Sequence, residues 1–357
     1  MGRAHGPAAH NCMGQNRDMT APKMRDFRLG LTRDCLTPDG DQANFDPRAF
    51  DVLEGLTWEF LSAFTEEITP ADAARYDAIL SLRPALTAAS LTGGAHRLKL
   101  LARFGAGFDN VDMDAATQAG VLVTNTPDGV RRPVATTVLT FILALSHKLM
   151  IKDKLTRTGR WTERTRFMGE GLVGKVVGSI GFGSIAQEAF RLLMPLDMVH
   201  LAYSPSKHPA EAAALNVREV DLDTLLRLSD YVCINAPLTP ASRRMIGTRE
   251  LGLMKPGAYL INTGRGQIVD EPALYAALAE GRIGGAALDV FEQEPVSPDN
   301  PILKLENVIV SPHSLCWTDE CYRGIAESAF RSVVAVAAGR RPTHLVNPVA
   351  LEHARWR

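Results

Sequence analysis

Between Lys175 and His313 the chain carries apolar, strand-like runs: KVVGSIG, MVHLAY, YVCINAP, AYLINTG, GAALDVF and VIVSPH. Segments of helical periodicity, such as EVDLDTLLRLSD and EPALYAALAEGR, separate most of them. This alternation constrains the fold more than any other feature. Strands joined through helices return to the same end of the sheet and so run parallel. Upstream, from Phe27 onward, FRLGLT, DAILSLR, LKLLARFG and VLVTNTP read as strands of another α/β region. A long helical stretch from about Arg132 to Leu149 lies between the two regions.

The later runs are expected to form a doubly wound sheet of Rossmann type. In open α/β sheets, ligands bind outside the carboxyl ends of the strands. The residues that follow those ends are Gly181–Ser184, Ser204–Lys207, Ala236–Thr239, Thr263–Arg265, Asp289–Glu294 and Pro312–His313. Small residues, acids, an arginine and a histidine would therefore converge on one edge, which points to an active site there.

Composition narrows the alternatives. With 46% hydrophobic residues, a core can form without disulfides or metals. The 39 basic and 40 acidic residues nearly cancel, which argues against a nucleic-acid partner. Cysteines at 12, 35, 233, 316 and 321 are odd in number and form no C-x-x-C pair. Neither a disulfide framework nor a bound metal is expected, and a reducing, cytoplasmic setting fits best. Residues 1–25 lack the apolar run of a signal peptide and read as a disordered leader. The most apolar stretch, TTVLTFILAL, is shorter than the roughly 20 residues of a membrane span, so no membrane association is expected.

The stretch VVGSIGFGSIA places Gly181 where a tight turn leaves the strand. Phe182 follows, and Gly183 would let the backbone approach a pyrophosphate seated on the helix N-terminus. The third motif position is Ala186, which is small enough for close helix–strand packing. About 20 residues on, an acid usually takes the ribose hydroxyls of NAD. Here Ser204 stands at that position, followed by Ser206 and Lys207. A carboxylate would repel a 2′-phosphate, whereas serines and a lysine would accept one. NADP is therefore favoured over NAD.

Together these motifs resemble the D-isomer-specific 2-hydroxyacid dehydrogenases, a family that includes glyoxylate/hydroxypyruvate reductases and 3-phosphoglycerate dehydrogenases. The resemblance runs from about Leu80 to Pro348. It rests on LARFGAGFDNVDMDAATQAGVLVTNTPDG, GLVGKVVGSIGFGSIA, NAPLTPASRRMIG, LMKPGAYLINTGRGQIVDEPALYAAL, GAALDVFEQEP and LENVIVSPH, in that order. It implies a Rossmann-type cofactor domain, residues 127–316, inserted into a smaller flavodoxin-like substrate domain, residues 26–126 and 317–357. It also implies a homodimer.

The resemblance assigns roles residue by residue. Arg265, Glu294 and His313 match the catalytic arginine, glutamate and histidine. Cofactor contacts are expected at Ser184, Ile185, Ser204, Ala236, Pro237, Ser242, Thr263, Gly264 and Asp289. The amides of Ala106 and Gly107 would hold a substrate carboxylate, and Arg83 matches a position that some members use for acidic substrates. There are departures. Gly264 replaces an alanine, Thr136 a glutamate and Asn235 a histidine, and SLCWTDECY lacks the small residues common after the catalytic histidine.

The chemistry follows from the residue types. Reducing a 2-keto acid needs a cation for the carboxylate and carbonyl, which Arg265 can supply with a bidentate grip. It also needs a proton donor, and His313 has an unperturbed pKa near neutrality. Glu294 would favour the imidazolium and orient the ring. Two other functions stay open at this point: a dinucleotide-sensing, corepressor-like binding protein, and a short-type 3-phosphoglycerate dehydrogenase. The short stretch after His313 leads us to expect no appended regulatory domain.

Overall fold

The computed structural model describes residues 26–37, 39–40, 42–93 and 96–356; the leader expected at residues 1–25 lies outside them. Twelve strands are present among the described residues: β1 (Arg28–Leu31), β2 (Thr57–Phe60), β3 (Ala78–Ser81), β4 (Leu100–Arg103), β5 (Leu122–Thr124), β6 (Val176–Ile180), β7 (Val199–Tyr203), β8 (Val217–Glu219), β9 (Tyr231–Ile234), β10 (Tyr259–Asn262), β11 (Gly285–Leu288) and β12 (Val308–Val310). The helices are α1 (Pro70–Arg75), α2 (Met113–Gln118), α3 (Pro127–Ser146), α4 (Leu149–Arg157), α5 (Ser184–Leu193), α6 (Pro209–Ala214), α7 (Leu222–Leu228), α8 (Thr248–Leu253), α9 (Glu271–Ala279) and α10 (Asp319–Ala337).

The strands form two sheets, ordered β2-β1-β3-β4-β5 and β12-β11-β10-β9-β6-β7-β8. Every pairing within them is parallel. The first order is that of flavodoxin-like sheets, and the second contains the doubly wound order of dinucleotide-binding domains with one further strand.

Both sheets are covered on both faces, as parallel sheets must be. In the first, Leu29, Leu80 and Leu100 pack with Ile325, Ala329, Phe330 and Val333 of α10, so the returning C-terminal helix completes this unit's core. Ile79, Leu101 and Val123 face the opposite cluster with Ile68 and Ala116. In the second sheet, Val177 and Ile261 meet Val138 and Phe141 of α3 and Phe190 of α5. Ile180, Val232 and Leu260 meet Leu225, Leu251 and Leu274 on the other face. Helices α3 and α10 cross closely. A Cβ at Gly129 would lie 2.5 Å from the Ile325 amide nitrogen, and Ser328 Oγ donates to Asp128 Oδ1 at 2.7 Å.

Two expectations need correction. The connecting helix starts at Pro127 rather than near Arg132 and stops at Ser146. Proline is favoured in a first turn, where its missing N–H has no intrahelical acceptor to lose. The chain turns at Lys148, in the left-handed region at φ 53°, and resumes as α4. Strands β2 and β8 were not expected. Both lie on sheet edges; β2 is mostly exposed and β8 has three residues, so neither carries an apolar run. Among the described residues, no single helix is long and apolar enough to cross a membrane.

Candidate active site

The carboxyl ends of β6, β9 and β10 press together. Gly181 leaves β6 at φ 96°, and a Cβ there would lie 2.8 Å from the Ala236 nitrogen, so both its conformation and its neighbour require glycine. Its own amide donates to Tyr203 O at 2.8 Å, tying the turn to the end of β7. Gly183 is the N-cap of α5, has no side-chain cap, and faces open space where a Cβ would stand. That leaves the amides of Ser184 and Ile185 at an open helix N-terminus, an arrangement that suits a phosphate. Ala186 is buried against the α3 face of the sheet, as its small size predicts. Phe182 turns its ring inward, packing on Phe190 and His208 at centroid distances of 5.9 and 6.0 Å, so only its backbone faces the turn.

A polar chain links the three strand ends. Ser179 Oγ donates to Gly181 O at 2.7 Å, Asn235 Nδ2 to Ser179 Oγ at 2.9 Å, and Thr263 Oγ1 to Asn235 Oδ1 at 3.3 Å. Gly264 sits where a Cβ would lie 3.1 Å from Ala236 O. The open glycine cradle and these close approaches fit a bound dinucleotide. Ser242 is taken up by its own loop: its Oγ donates to Pro237 O and accepts from the Thr239 amide, each at 2.8 Å. Ser204 is half-buried, and Ser206 and Lys207 are exposed. Lys207 Nζ lies 3.9 Å from Glu219 Oε1.

Arg265 stands at the end of the turn after β10. Asn262, which is buried, holds that turn from both sides: its Nδ2 donates to Arg265 O at 3.0 Å and its Oδ1 accepts from the Gly264 amide at 3.0 Å. Arg265 Nη1 donates to Gly264 O at 2.8 Å. Its Nε and Nη2 reach across to Asp109 Oδ1 of the first unit, at 3.0 and 2.9 Å. The guanidinium also fills the space beside Gly107, where a Cβ would lie 1.7 Å from Nη2. Burial alone would raise the Asp109 pKa, but the hydrogen bond and charge of Arg265 outweigh it and hold the carboxyl below its usual range. Gly266 lets the next loop close in, since a Cβ there would lie 1.9 Å from the Phe291 carbonyl carbon.

His313 adopts φ 54°, a left-handed conformation rare for a non-glycine residue. Such strain persists only where the surroundings over-determine it. Here Asp289 does so. Its buried Oδ1 accepts from Ser311 Oγ and from the amides of Ser314 and Leu315, the latter two at 3.0 and 3.2 Å. The ring is fixed by Nδ1, 2.7 Å from Glu294 Oε2, while Glu294 Oε1 accepts from the Phe291 amide at 3.0 Å. With Nδ1 donating to Glu294, Nε2 is left without a hydrogen-bond partner among the described residues. The hydrogen bond to Glu294 raises the His313 pKa against the opposing effect of burial. For Glu294, burial pulls upward, but His313, the Phe291 amide and Arg265 together bring its pKa below the usual value.

The carbonyls of Ala106 and Gly107 are held by Asn125 Nδ2 at 2.7 Å and Arg103 Nε at 3.3 Å. Among the described residues, neither amide finds an acceptor in the chain. Arg103 is buried and also donates to the carbonyls of Ser81 and Leu82; burial pushes its pKa down to about 10. Arg83 stands apart. Its guanidinium lies 3.6 Å from Asp34 Oδ2 and 5.1 Å from the Phe64 ring centroid, at an exposed position.

Sequence reasoning brought Arg265, Glu294 and His313 together at one edge but missed Asp109 and Asn262, which aim the arginine. Asn262 ends a strand directly before the glycine turn, and that placement was its available signal. Asp109 lies in a turn after β4 of the other sheet, and nothing in its local sequence points to Arg265.

A model of the D-isomer specific 2-hydroxyacid dehydrogenase NAD-binding domain matches residues 139–314. The chain is 38% identical to a glyoxylate reductase of Thermococcus litoralis, over 76% of this chain and 83% of that protein. It is 37% identical to a D-3-phosphoglycerate dehydrogenase of Archaeoglobus fulgidus over 84% of this chain, but spans 56% of that protein's length. Among solved structures it is similar to a D-2-hydroxyisocaproate dehydrogenase, with TM-score 0.78, 25% identity, and coverage of 90% of this chain and 100% of that one. The sheet order, the glycine cradle and these likenesses agree: the chain belongs to the D-isomer specific 2-hydroxyacid dehydrogenases and is a nicotinamide-dependent oxidoreductase of that family.

Proposed function

We propose that the protein interconverts a short 2-keto acid and its D-2-hydroxy acid, with glyoxylate and hydroxypyruvate as the first candidates and NADPH as the favoured cofactor. The observation that carries this is the cross-cleft constellation: Arg265 lies against Gly107, with the His313–Glu294 pair on the adjoining loops. The names of the relatives, glyoxylate reductase above all, support the substrate. When bound, the nicotinamide supplies or takes up the hydride.

In this reading, the free amides of Ala106 and Gly107 receive the substrate carboxylate. Arg265 exchanges part of its grip on Asp109 for the carboxylate and keto oxygen. A planar guanidinium already turned to a carboxylate needs little reorganisation to accept another. His313 Nε2 delivers the proton to the developing alkoxide, and Glu294 stabilises the protonated ring. Residues 127–316 would hold the cofactor, while residues 26–126 and 317–357 would supply the substrate side.

We also propose a homodimer and a cytoplasmic location. Leu149, Met150, Trp161, Met168 and Val173 are exposed along the segment after α3 and form a set of large apolar side chains suited to burial against a second copy. Cys35, Cys233, Cys316 and Cys321 are free thiols, in keeping with a reducing compartment. A second reading, 3-phosphoglycerate oxidation, draws on the exposed cation of Arg83 and on the Archaeoglobus relative's name.

A panel of glyoxylate, hydroxypyruvate, pyruvate and 3-phosphohydroxypyruvate, each with NADPH and NADH, tests these readings. Fastest turnover of glyoxylate or hydroxypyruvate is expected. A phosphorylated substrate in first place would transfer the assignment to the second reading. No turnover alongside tight NADPH binding would point to a dinucleotide sensor.

A further inference from the structure

We propose that Glu219 is a specificity-determining residue for the cofactor, acting as the counter-ion that competes with a 2′-phosphate for Lys207. The inference rests on the NADPH reading above and adds a residue that nothing in the glycine motif announces. Glu219 ends the edge strand β8, where it pairs with Ala202 of β7, two residues before Ser204. The backbone bond from the Val220 amide to Ala202 O at 2.9 Å fixes this register.

Two independent observations single Glu219 out. Its Oε1 is buried and, among the described residues, has no hydrogen-bond partner, although a buried carboxylate oxygen is costly to leave unpaired. The group nearest in charge is Lys207, at 3.9 Å from that same oxygen, too long for a hydrogen bond. The lysine side chain is 67% exposed and the glutamate side chain 16%. The carboxylate is therefore fixed within the protein, while the ammonium is free to swing outward.

The loop between them is anchored. His208 packs its ring on Phe182 of the glycine turn, at a centroid distance of 6.0 Å. Lys207 is thus held within reach of the ribose site but is already half-committed to a carboxylate. The usual acid at the end of β7 is absent at Ser204, and a negative charge enters instead from the neighbouring strand. A 2′-phosphate must draw Lys207 away from Glu219 and tolerate that carboxylate nearby. NAD, which lacks the phosphate, makes no such demand. Glu219 would thereby limit the preference for NADPH rather than create it.

The test is direct binding by calorimetry, with NADPH and NADH titrated into purified wild-type, Glu219→Gln, Lys207→Ala and the double variant. Glu219→Gln is expected to tighten NADPH about 3–10-fold, as for loss of one partly screened charge contact, and to leave NADH within about twofold. In the Lys207→Ala background, Glu219→Gln should gain much less. If Lys207→Ala weakens NADPH while Glu219→Gln changes nothing, or shifts both cofactors equally, the role of Glu219 is refuted and the NADPH reading stands. If Lys207→Ala leaves NADPH binding unchanged, the NADPH reading falls and takes this proposal with it. Glu219→Asp, which withdraws the carboxylate by one methylene, should give a smaller gain for NADPH and serves if the glutamine variant fails to fold; no gain there is a refutation.

Discussion

The two ends of the cleft are built differently. At the proposed catalytic end, the charged groups already have partners at hydrogen-bond distance: Arg265 with Asp109, His313 with Glu294, and Asp289 with the loop that carries His313. At the proposed ribose end, Ser206 and Lys207 are exposed, and the Lys207–Glu219 pair spans 3.9 Å. The first arrangement is preorganised, so its electrostatic work needs little rearrangement at the moment of reaction. The second is loosely held and tunes a preference. Substitutions should therefore cost far more at the first end than at the second.

The largest effect is expected from His313→Gln. Loss of the proton donor should lower turnover by roughly 10²–10⁴-fold, the usual span for general acid–base catalysis. Cofactor affinity, measured by fluorescence titration, should stay near wild type. A variant that retained most of its turnover would remove the contrast between the two ends.

Arg265→Lys comes next. Lysine keeps the charge but not the planar fork, so the contacts with Asp109 and with a substrate carboxylate cannot both survive. One or two charge-assisted hydrogen bonds correspond to about 10–100-fold in kcat/KM, with KM raised and kcat lowered. Steady-state kinetics unchanged from wild type would rule out a bidentate grip.

Glu294→Gln should act mainly through pH. Glu294 holds the His313 pKa above its ordinary value, so activity in the direction of keto-acid reduction is full below that pKa and falls as pH rises through it. Removing the carboxylate should move this alkaline limb to lower pH and slow turnover by about tenfold. The contribution of His313 to stability has the same sign, being complete below its ordinary pKa and lost as pH rises through the raised one; that of Glu294, whose pKa is lowered, is lost as pH falls through its own. A pH–rate profile with an unmoved limb would mean that Glu294 does not govern His313.

The smallest change is expected at the ribose end. Ser204→Asp with Lys207→Ala introduces the acid and removes the cation, and should swing the ratio of kcat/KM values toward NADH by about 3–5-fold, as for partly screened charge contacts. An unmoved ratio would show that this end does not select the cofactor.

By itself, the sequence determined the class of fold, because apolar runs spaced by helical segments leave parallel sheets as the consistent solution. It also singled out the glycine turn, Arg265, Glu294 and His313, since each follows a strand and so falls on the edge where open α/β sheets bind ligands. The edge strands β2 and β8 were not legible, because an edge strand can be short or exposed and carry no apolar run. Nor were the partners. Asp109 meets Arg265 although 156 residues separate them, and Asp289 anchors Ser314 and Leu315 from a neighbouring strand end. Glu219 reached Lys207 through the register of β7 against β8. Local patterning reports what each segment becomes. Which side chains then face one another depends on sheet order and register, and only the tertiary structure decides those.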